Sequence, residues 1–246
     1  MYACKHADKI IAISKQTKQD IIDYYKVPGE KITICYQSCN PSFFNRVSAE
    51  EKQRVKAQYN LPEHFYLYVG SVIERKNLLI ICQAIKELTN NIPLVVIGNG
   101  DGYLQKVKSY VAANNLQQQI ILLSETEAAK NSEAFKTAKD FPAIYQNALA
   151  MIYPSIFEGF GIPVLEAIAS GLPTITSNIS CLPEAGGDAA LYVNPASVEE
   201  MKHAMQEIVS NTSLRNILIE KGLPHAQKFT QQACATAVMN VYNSLL

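Results

Sequence analysis

Four side chains carry the chemistry this sequence offers. Glu158 and Glu166 bracket the run EGFGIPVLE, eight positions apart, and Arg75 and Lys76 stand far upstream in SVIERKNL. A guanidinium fork beside an ammonium is suited to grip a diphosphate. Gly159 and Gly161 let the backbone approach a ligand without a Cβ in the way, and Pro163 suits the first turn of a helix. The N–H groups of Phe160 through Leu165 would then point at an anion, helped by the helix dipole. Glu166 is placed in the first helical turn and Glu158 in the loop before it. A carboxylate repels phosphate but accepts hydrogen bonds from sugar hydroxyls. A diphosphate between a ribose and a hexose fits this arrangement, with each glutamate taking one sugar. Plainer alternatives stay open: Glu166 could merely complement the helix dipole, worth ~0.3–1 kcal/mol, and the other three could be solvated charges.

The elements that must position these residues follow from hydrophobic patterning. KIIAIS (9–14), KITICY (31–36), FYLYVG (65–70), PLVVIG (93–98), QIILL (119–123), ALAMIY (148–153) and PTITS (173–177) read as strands. Helical patterns cover 15–26, 48–59, 77–89 and 102–114, and a last apolar stripe runs through Cys234, Val238, Val241 and Leu245. Strands apolar at nearly every position are buried on both faces, as in a doubly wound parallel sheet covered by helices. Ligands of such α/β, Rossmann-like sheets sit beyond the carboxyl ends of the strands. The loops 71–76, 99–101, 124–140 and 154–162 are therefore the ones to watch. The stretch 124–140 is polar with no evident apolar face and reads as an insertion or mobile loop with some helix. GNGDG (98–102) fails as a dinucleotide fingerprint because Tyr103 stands where a third glycine is needed. A tight turn with Asp101 capping the next helix is the expectation there.

Composition narrows the classes. The 246 residues carry 22 basic and 22 acidic side chains, which argues against a nucleic-acid partner or a polybasic membrane adhesive. No apolar run approaches the ~18 residues of a membrane span, and no signal-peptide pattern opens the chain. A cytoplasmic location is expected, with a peripheral position at a membrane left open. The six cysteines lack C-x-x-C spacing and the four histidines lack metal-ligand spacing, so free thiols and no metal site are expected.

The segment YPSIFEGFGIPVLEAIASGLPTITSN resembles the donor-site signature of glycosyltransferase family 4, retaining enzymes of the GT-B fold. YVGSVIERKNL is similar to that family's phosphate-gripping loop. IIAISKQTKQDIIDYYKVPGEKITICYQSCNPSFF resembles its passage from the N-terminal to the C-terminal domain, and LPEAGGDAALYVNP the stretch after the signature. The ERKNL form points to the mannosyltransferase-like subgroup. The resemblance implies metal-independent transfer of a hexose from a GDP- or UDP-linked sugar to a glycan or glycolipid hydroxyl, as in polysaccharide biosynthesis. It gives catalytic roles to Arg75, Lys76 and Glu158, with the two cations on the donor diphosphate, Glu166 on the ribose and Glu158 on the transferred sugar. Backbone at Gly159, Phe160 and Gly161 would meet sugar hydroxyls, Val164 and Leu165 the phosphate, and Ile162 would open the helix mouth that faces the diphosphate. Leu123 and Ser124 would lie against the base, and Gly70 and Ser71 would line the donor loop. Some family members carry an arginine after that glycine, where this chain has Ser71. The resemblance divides the chain into residues 1–40 (tail of an N-terminal domain and linker), 41–228 (nucleotide-sugar domain) and 229–246 (a helix crossing back). It also implies an N-terminal partner domain of roughly 150–180 residues beyond this chain. Self-association is one way to cover the apolar surface so exposed. A non-catalytic nucleotide-sugar-binding module and an epimerase of the same fold are the alternatives.

Overall fold

A computed structural model describes residues 2–246; Met1 of the 1–40 segment lies outside them. The helices are α1 (Tyr2–His6), α2 (Lys15–Tyr25), α3 (Ala49–Gln58), α4 (Leu78–Glu87), α5 (Gly102–Ala113), α6 (Glu127–Lys130), α7 (Glu133–Lys136), α8 (Phe141–Asn147), α9 (Ile162–Ala169), α10 (Leu182–Gly186), α11 (Val198–Ser210), α12 (Thr212–Ala226) and α13 (Gln231–Asn243). The strands are β1 (Ile10–Ala12), β2 (Ile32–Ile34), β3 (Tyr66–Val69), β4 (Leu94–Ile97), β5 (Ile120–Leu122), β6 (Ala150–Tyr153), β7 (Thr174–Ser177) and β8 (Ala190–Val193).

Six strands form one parallel sheet in the order β5-β4-β3-β6-β7-β8, and β1 and β2 pair in a separate small parallel sheet. The expected doubly wound α/β sheet is therefore present. Every residue of β3, β4, β6 and β7 is buried, as strands covered on both faces must be. Their side chains alternate between two cores. Leu67, Val69, Val95, Met151 and Tyr153 pack on one face with Val55, Ile144, Val164 and Ile168. Tyr66, Tyr68, Val96, Ala150 and Ile152 pack on the other with Ile81, Ile85, Val107 and Met205.

Three sequence expectations change. The strand β8 was not anticipated; its half-buried edge pattern, with Leu191 and Tyr192 partly exposed, hides the apolar continuity that marks the inner strands. The stretch 124–140 has the helix expected in it, and with it an apolar face that was not expected. It folds into a 3-10 turn and the short helices α6 and α7, which bury Ala129 and Phe135 in the core. A network of Arg54, Tyr59, Ser132 and Asp140, buried except at the half-exposed Arg54, ties it to α3, with Arg54 donating to Asp140 at 2.6 Å. Two apolar anchors are too few to show a period in so polar a run. Asp101 precedes α5 but makes no side-chain capping bond.

Segment 10–34 has a small core of its own, centred on Ala12, Val27 and Ile32. It docks on the larger unit through the carboxylate of Glu184, which accepts the N–H groups of Lys15 (2.7 Å) and Gln16 (3.0 Å) at the start of α2 and the hydroxyl of Tyr36 (3.1 Å). On α13, Val241 is buried while Met239 and Tyr242 remain exposed.

Candidate functional site

The strand order makes neighbours of two loops distant in sequence. β3 and β6 pair directly, with Tyr66 opposite Ala150 and Leu67 opposite Met151. The loops leaving their carboxyl ends, one carrying Arg75 and Lys76 and the other Glu158, therefore open side by side. Backbone bonds continue the contact past the strands: Ile156 donates its N–H to the Arg75 carbonyl at 2.8 Å, and the Arg75 guanidinium donates to the Phe157 carbonyl at 2.9 Å.

At this junction the Glu158 carboxylate takes Lys76 Nζ at 2.6 Å and Arg75 Nη1 at 3.1 Å. Tyr153, the last residue of β6, donates its hydroxyl to Glu158 at 3.0 Å and also receives the Lys76 ammonium, which lies over its ring 4.7 Å from the centroid. Lys76 and Glu158 are each only 8% exposed, so they are not solvated charges. Burial alone would raise the Glu158 carboxyl, but the bond and charge of Lys76, together with hydrogen bonding that includes Tyr153, hold Glu158 below the usual carboxylate range. Burial pulls Lys76 below the usual lysine value despite its bond to Glu158. The Glu158 backbone is pinned as well: its N–H donates to Ser180 Oγ at 3.2 Å, and its carbonyl accepts from Ser180 Oγ and Cys181 Sγ, each at 3.1 Å.

Glu166 lives in a different environment. The helix α9 begins at Ile162, so Glu166 is its fifth residue and lies in the second turn rather than the first. Its carboxylate accepts the hydroxyl of Tyr145 at 2.8 Å. Burial pushes its pKa up to about 7 against the modest lowering from that bond.

The helix mouth is narrower than the sequence suggested. The N–H groups of Val164 and Leu165 both turn back to the Gly161 carbonyl, at 3.0 and 3.2 Å. The expected open run of donors from Phe160 to Leu165 thus lacks its last two members. Gly161 caps the helix with φ 103°, and a Cβ there would come within 2.9 Å of Leu182. The Phe160 ring is buried against Tyr36 and Phe229, with centroids 5.6 and 5.2 Å away.

On the other side of β3, Ser124 Oγ accepts the N–H of Gly98 at 2.9 Å, and Leu123 is fully buried. A cleft of about 480 Å³ opens there, lined by Gly98, Asn99, Ser124, Phe135, Lys136 and Phe141. Gly98 is required by proximity, since a Cβ would stand 1.9 Å from the carbonyl oxygen of Gly70. Gly100 stands as close to the next loop, a Cβ there falling 2.1 Å from the Val72 carbonyl oxygen, so Gly98 and Gly100 let two strand-end loops touch.

Arg75, Lys76 and Glu158 are brought together; Glu166 stands apart from them with Tyr145. Sequence reasoning missed Tyr153, Tyr145 and Ser180. The first two are hydroxyls inside otherwise apolar elements, a signal available but read as core. Among the described residues no group of three or more His, Cys, Asp or Glu side chains is placed to hold a metal ion, and no helix is long and apolar enough to cross a membrane. All six cysteines are free.

The chain is similar to known proteins in sequence and in fold. The O-antigen chain mannosyltransferase B of Escherichia coli is 29% identical over 244 residues, covering 97% of this chain and 61% of that protein. The O-antigen chain mannosyltransferase RfbU of Salmonella typhimurium is 30% identical over 205 residues, covering 83% of this chain and 51% of that protein. The chain thus spans between about half and about three fifths of the length of these relatives. Among solved structures, a glycosyltransferase from Rickettsia africae superposes with a TM-score of 0.82 at 18% identity over 99% of this chain and 66% of that one. Anabaena Alr3699/HepE in complex with UDP-glucose superposes with a TM-score of 0.83 at 15% identity, covering 99% of this chain and 65% of that one. The family model for glycosyl transferases group 1 matches residues 49–224, a span that holds Arg75, Lys76, Glu158 and Glu166 on their GT-B-type sheet, and the chain belongs to that family.

Proposed function

We propose that this chain is the donor-binding half of a retaining hexosyltransferase that takes mannose from a nucleoside diphosphate sugar to a hydroxyl of a glycan or glycolipid. The observation that carries the reading is the meeting of Arg75, Lys76 and Glu158 at the paired carboxyl ends of β3 and β6. The names of the two O-antigen mannosyltransferases support the choice of sugar. Residues 41–228 hold the donor, residues 1–40 belong with an N-terminal domain, and residues 229–246 cross back to it.

In this reading the bond between the anomeric carbon and the diphosphate breaks as an acceptor hydroxyl oxygen bonds to that carbon, and the hydroxyl proton leaves with the departing diphosphate. The barrier falls chiefly because the departing diphosphate is met by fixed positive charge. Arg75 and Lys76 supply that charge, and the helix dipole of α9 adds to it. Glu158 acts through the cations it holds as well as on the sugar. Its carboxylate, shared by an ammonium, a guanidinium and a phenol, is a poor nucleophile. Glu166 accepts the ribose hydroxyls, and the base enters the cleft beside Leu123 and Ser124.

Calorimetric titration with GDP, UDP and ADP, and then with their sugars, tests the assignment. One nucleotide should bind preferentially, and Arg75→Ala should weaken it. Loss of Glu158 should impair use of the sugar donor more than binding of the nucleoside diphosphate. Tighter nucleotide binding by both Glu158→Ala and Glu166→Ala would mark a generic anion patch and overturn the reading.

A further inference from the structure

We propose that Tyr145 is a positioning residue of the donor site, holding the Glu166 carboxylate in the orientation and charge state that accept ribose hydroxyls. This rests on the ribose role given to Glu166 above. Tyr145 is fully buried, and its hydroxyl donates to Glu166 Oε2 at 2.8 Å. That bond occupies one carboxylate oxygen from the core side and leaves Oε1 for a ligand. It comes from α8, an element outside the signature run that carries both glutamates.

The phenol is itself fixed from a third direction. Phe43, in the 3-10 turn Pro41–Phe44 that leads from the small N-terminal sheet to α3, meets the Tyr145 ring edge-on, with centroids 5.0 Å apart. Ser170, just past the end of α9, donates its hydroxyl to the Phe43 carbonyl at 3.4 Å. The connector, α8 and α9 thus close a ring of contacts around one carboxylate. The path gives segment 10–44 a physical route to the ribose end of the site, separate from its Glu184 contact near the signature loop.

The charge on Glu166 makes the role measurable. The titratable groups facing it are Tyr145 from α8 and Cys39 from the connector. Burial pushes the Cys39 thiol up to about 12 and the Tyr145 phenol well above its ordinary value, so both stay neutral between pH 5 and 9. Glu166 alone titrates in that window, with its value raised to about 7. A hydrogen bond to the ionised form favours ionisation, so removing the phenol hydroxyl raises the midpoint further. If ribose hydroxyls require the ionised carboxylate, nucleotide affinity climbs as pH rises through that midpoint.

The experiment is calorimetry from pH 5.5 to 8.5 with the preferred nucleoside diphosphate and its 2′,3′-dideoxy analogue, on the wild type, Tyr145→Phe and Glu166→Gln. In the wild type the ribonucleotide should bind more tightly than the dideoxy analogue, and the difference should grow with pH. Tyr145→Phe should move the midpoint up by about one pH unit and so weaken ribonucleotide binding about fivefold at pH 7, leaving dideoxy binding unchanged. Glu166→Gln should abolish both the discrimination and its pH dependence. If Glu166→Gln discriminates as the wild type does, the ribose role itself fails. If Glu166→Gln behaves as expected but Tyr145→Phe keeps the wild-type midpoint and discrimination, the Tyr145 role alone is overturned. Should Tyr145→Phe not fold, 3,5-difluorotyrosine at position 145 offers a stronger donor. It should move the midpoint down, and an unmoved midpoint would overturn the proposal.

Discussion

Glu158 and Glu166 are the same residue type, eight positions apart and both largely out of water, yet their environments drive them in opposite directions. Glu158 is gripped by Lys76, Arg75 and Tyr153 and held below the usual carboxylate range. Glu166 has only a neutral phenol and a neutral thiol for company and is raised to about 7. Burial acts on both; what separates them is whether positive charge shares the site. A signature that reads as a symmetric pair of acids is, in three dimensions, one anchored anion and one carboxyl poised between states.

The largest expected effect breaks the anchored side. Lys76→Met leaves Glu158 buried beside a half-exposed guanidinium, and it should cost about 4 kcal/mol of stability in urea denaturation. A variant as stable as the wild type would show that Glu158 needs no ammonium. Next comes the poised side. A carboxyl whose folded pKa is raised binds its proton more tightly when folded, so its contribution is full below about pH 4.5 and is lost as pH rises through about 7. Glu166→Gln should therefore be more stable than the wild type at pH 8.5, by up to about 3 kcal/mol, with the gap closing toward pH 4.5. Glu158→Gln has the opposite sign. The stabilisation by ionised Glu158 is present above the unfolded value and lost as pH falls through its lowered folded one, so this variant should approach the wild type in acid. Parallel pH profiles for the two variants would erase the contrast.

A smaller effect separates binding from stability. Arg75 is 47% exposed at its side chain, so Arg75→Ala should change stability by less than about 1 kcal/mol. The same variant should weaken nucleoside diphosphate binding by about 2 kcal/mol, read by calorimetry against denaturation. Smallest, Ser180→Ala removes a hydroxyl that bonds the Glu158 backbone. It should cost about 1 kcal/mol and leave the Glu166 titration unmoved.

How much of this could be foreseen depends on which physical signal each element carries. The inner strands β3, β4, β6 and β7 announce themselves because burial on both faces forces an apolar residue at every position. β8 escapes because an edge strand needs no such run. Arg75, Lys76, Glu158 and Glu166 stand out by residue type, and the rule that ligands sit at strand ends places the first three. Nothing one-dimensional shows that Glu158 neutralises Lys76, since that contact depends on β3 and β6 being neighbours. Tyr145 and Tyr153 pass for core because most of each ring is core; only the terminal oxygen does chemistry. The helix mouth was overestimated because a glycine cap lets the first turn tighten, so that Gly161 claims two of the donors.

The same strand order has a consequence for synthesis. β3 can pair with β4 almost as soon as both leave the ribosome, but its other edge waits for β6, which begins at Ala150. At about 5–20 residues per second, the roughly 80 residues between β3 and β6 take about 4–16 s to make. Throughout that interval the nascent chain carries a bare apolar strand edge, and Lys76 has no acid to neutralise it. An unpaired edge of this kind invites association with other chains. The window closes only when β6 docks, and the residues that complete the ion pair are the ones that follow it off the ribosome.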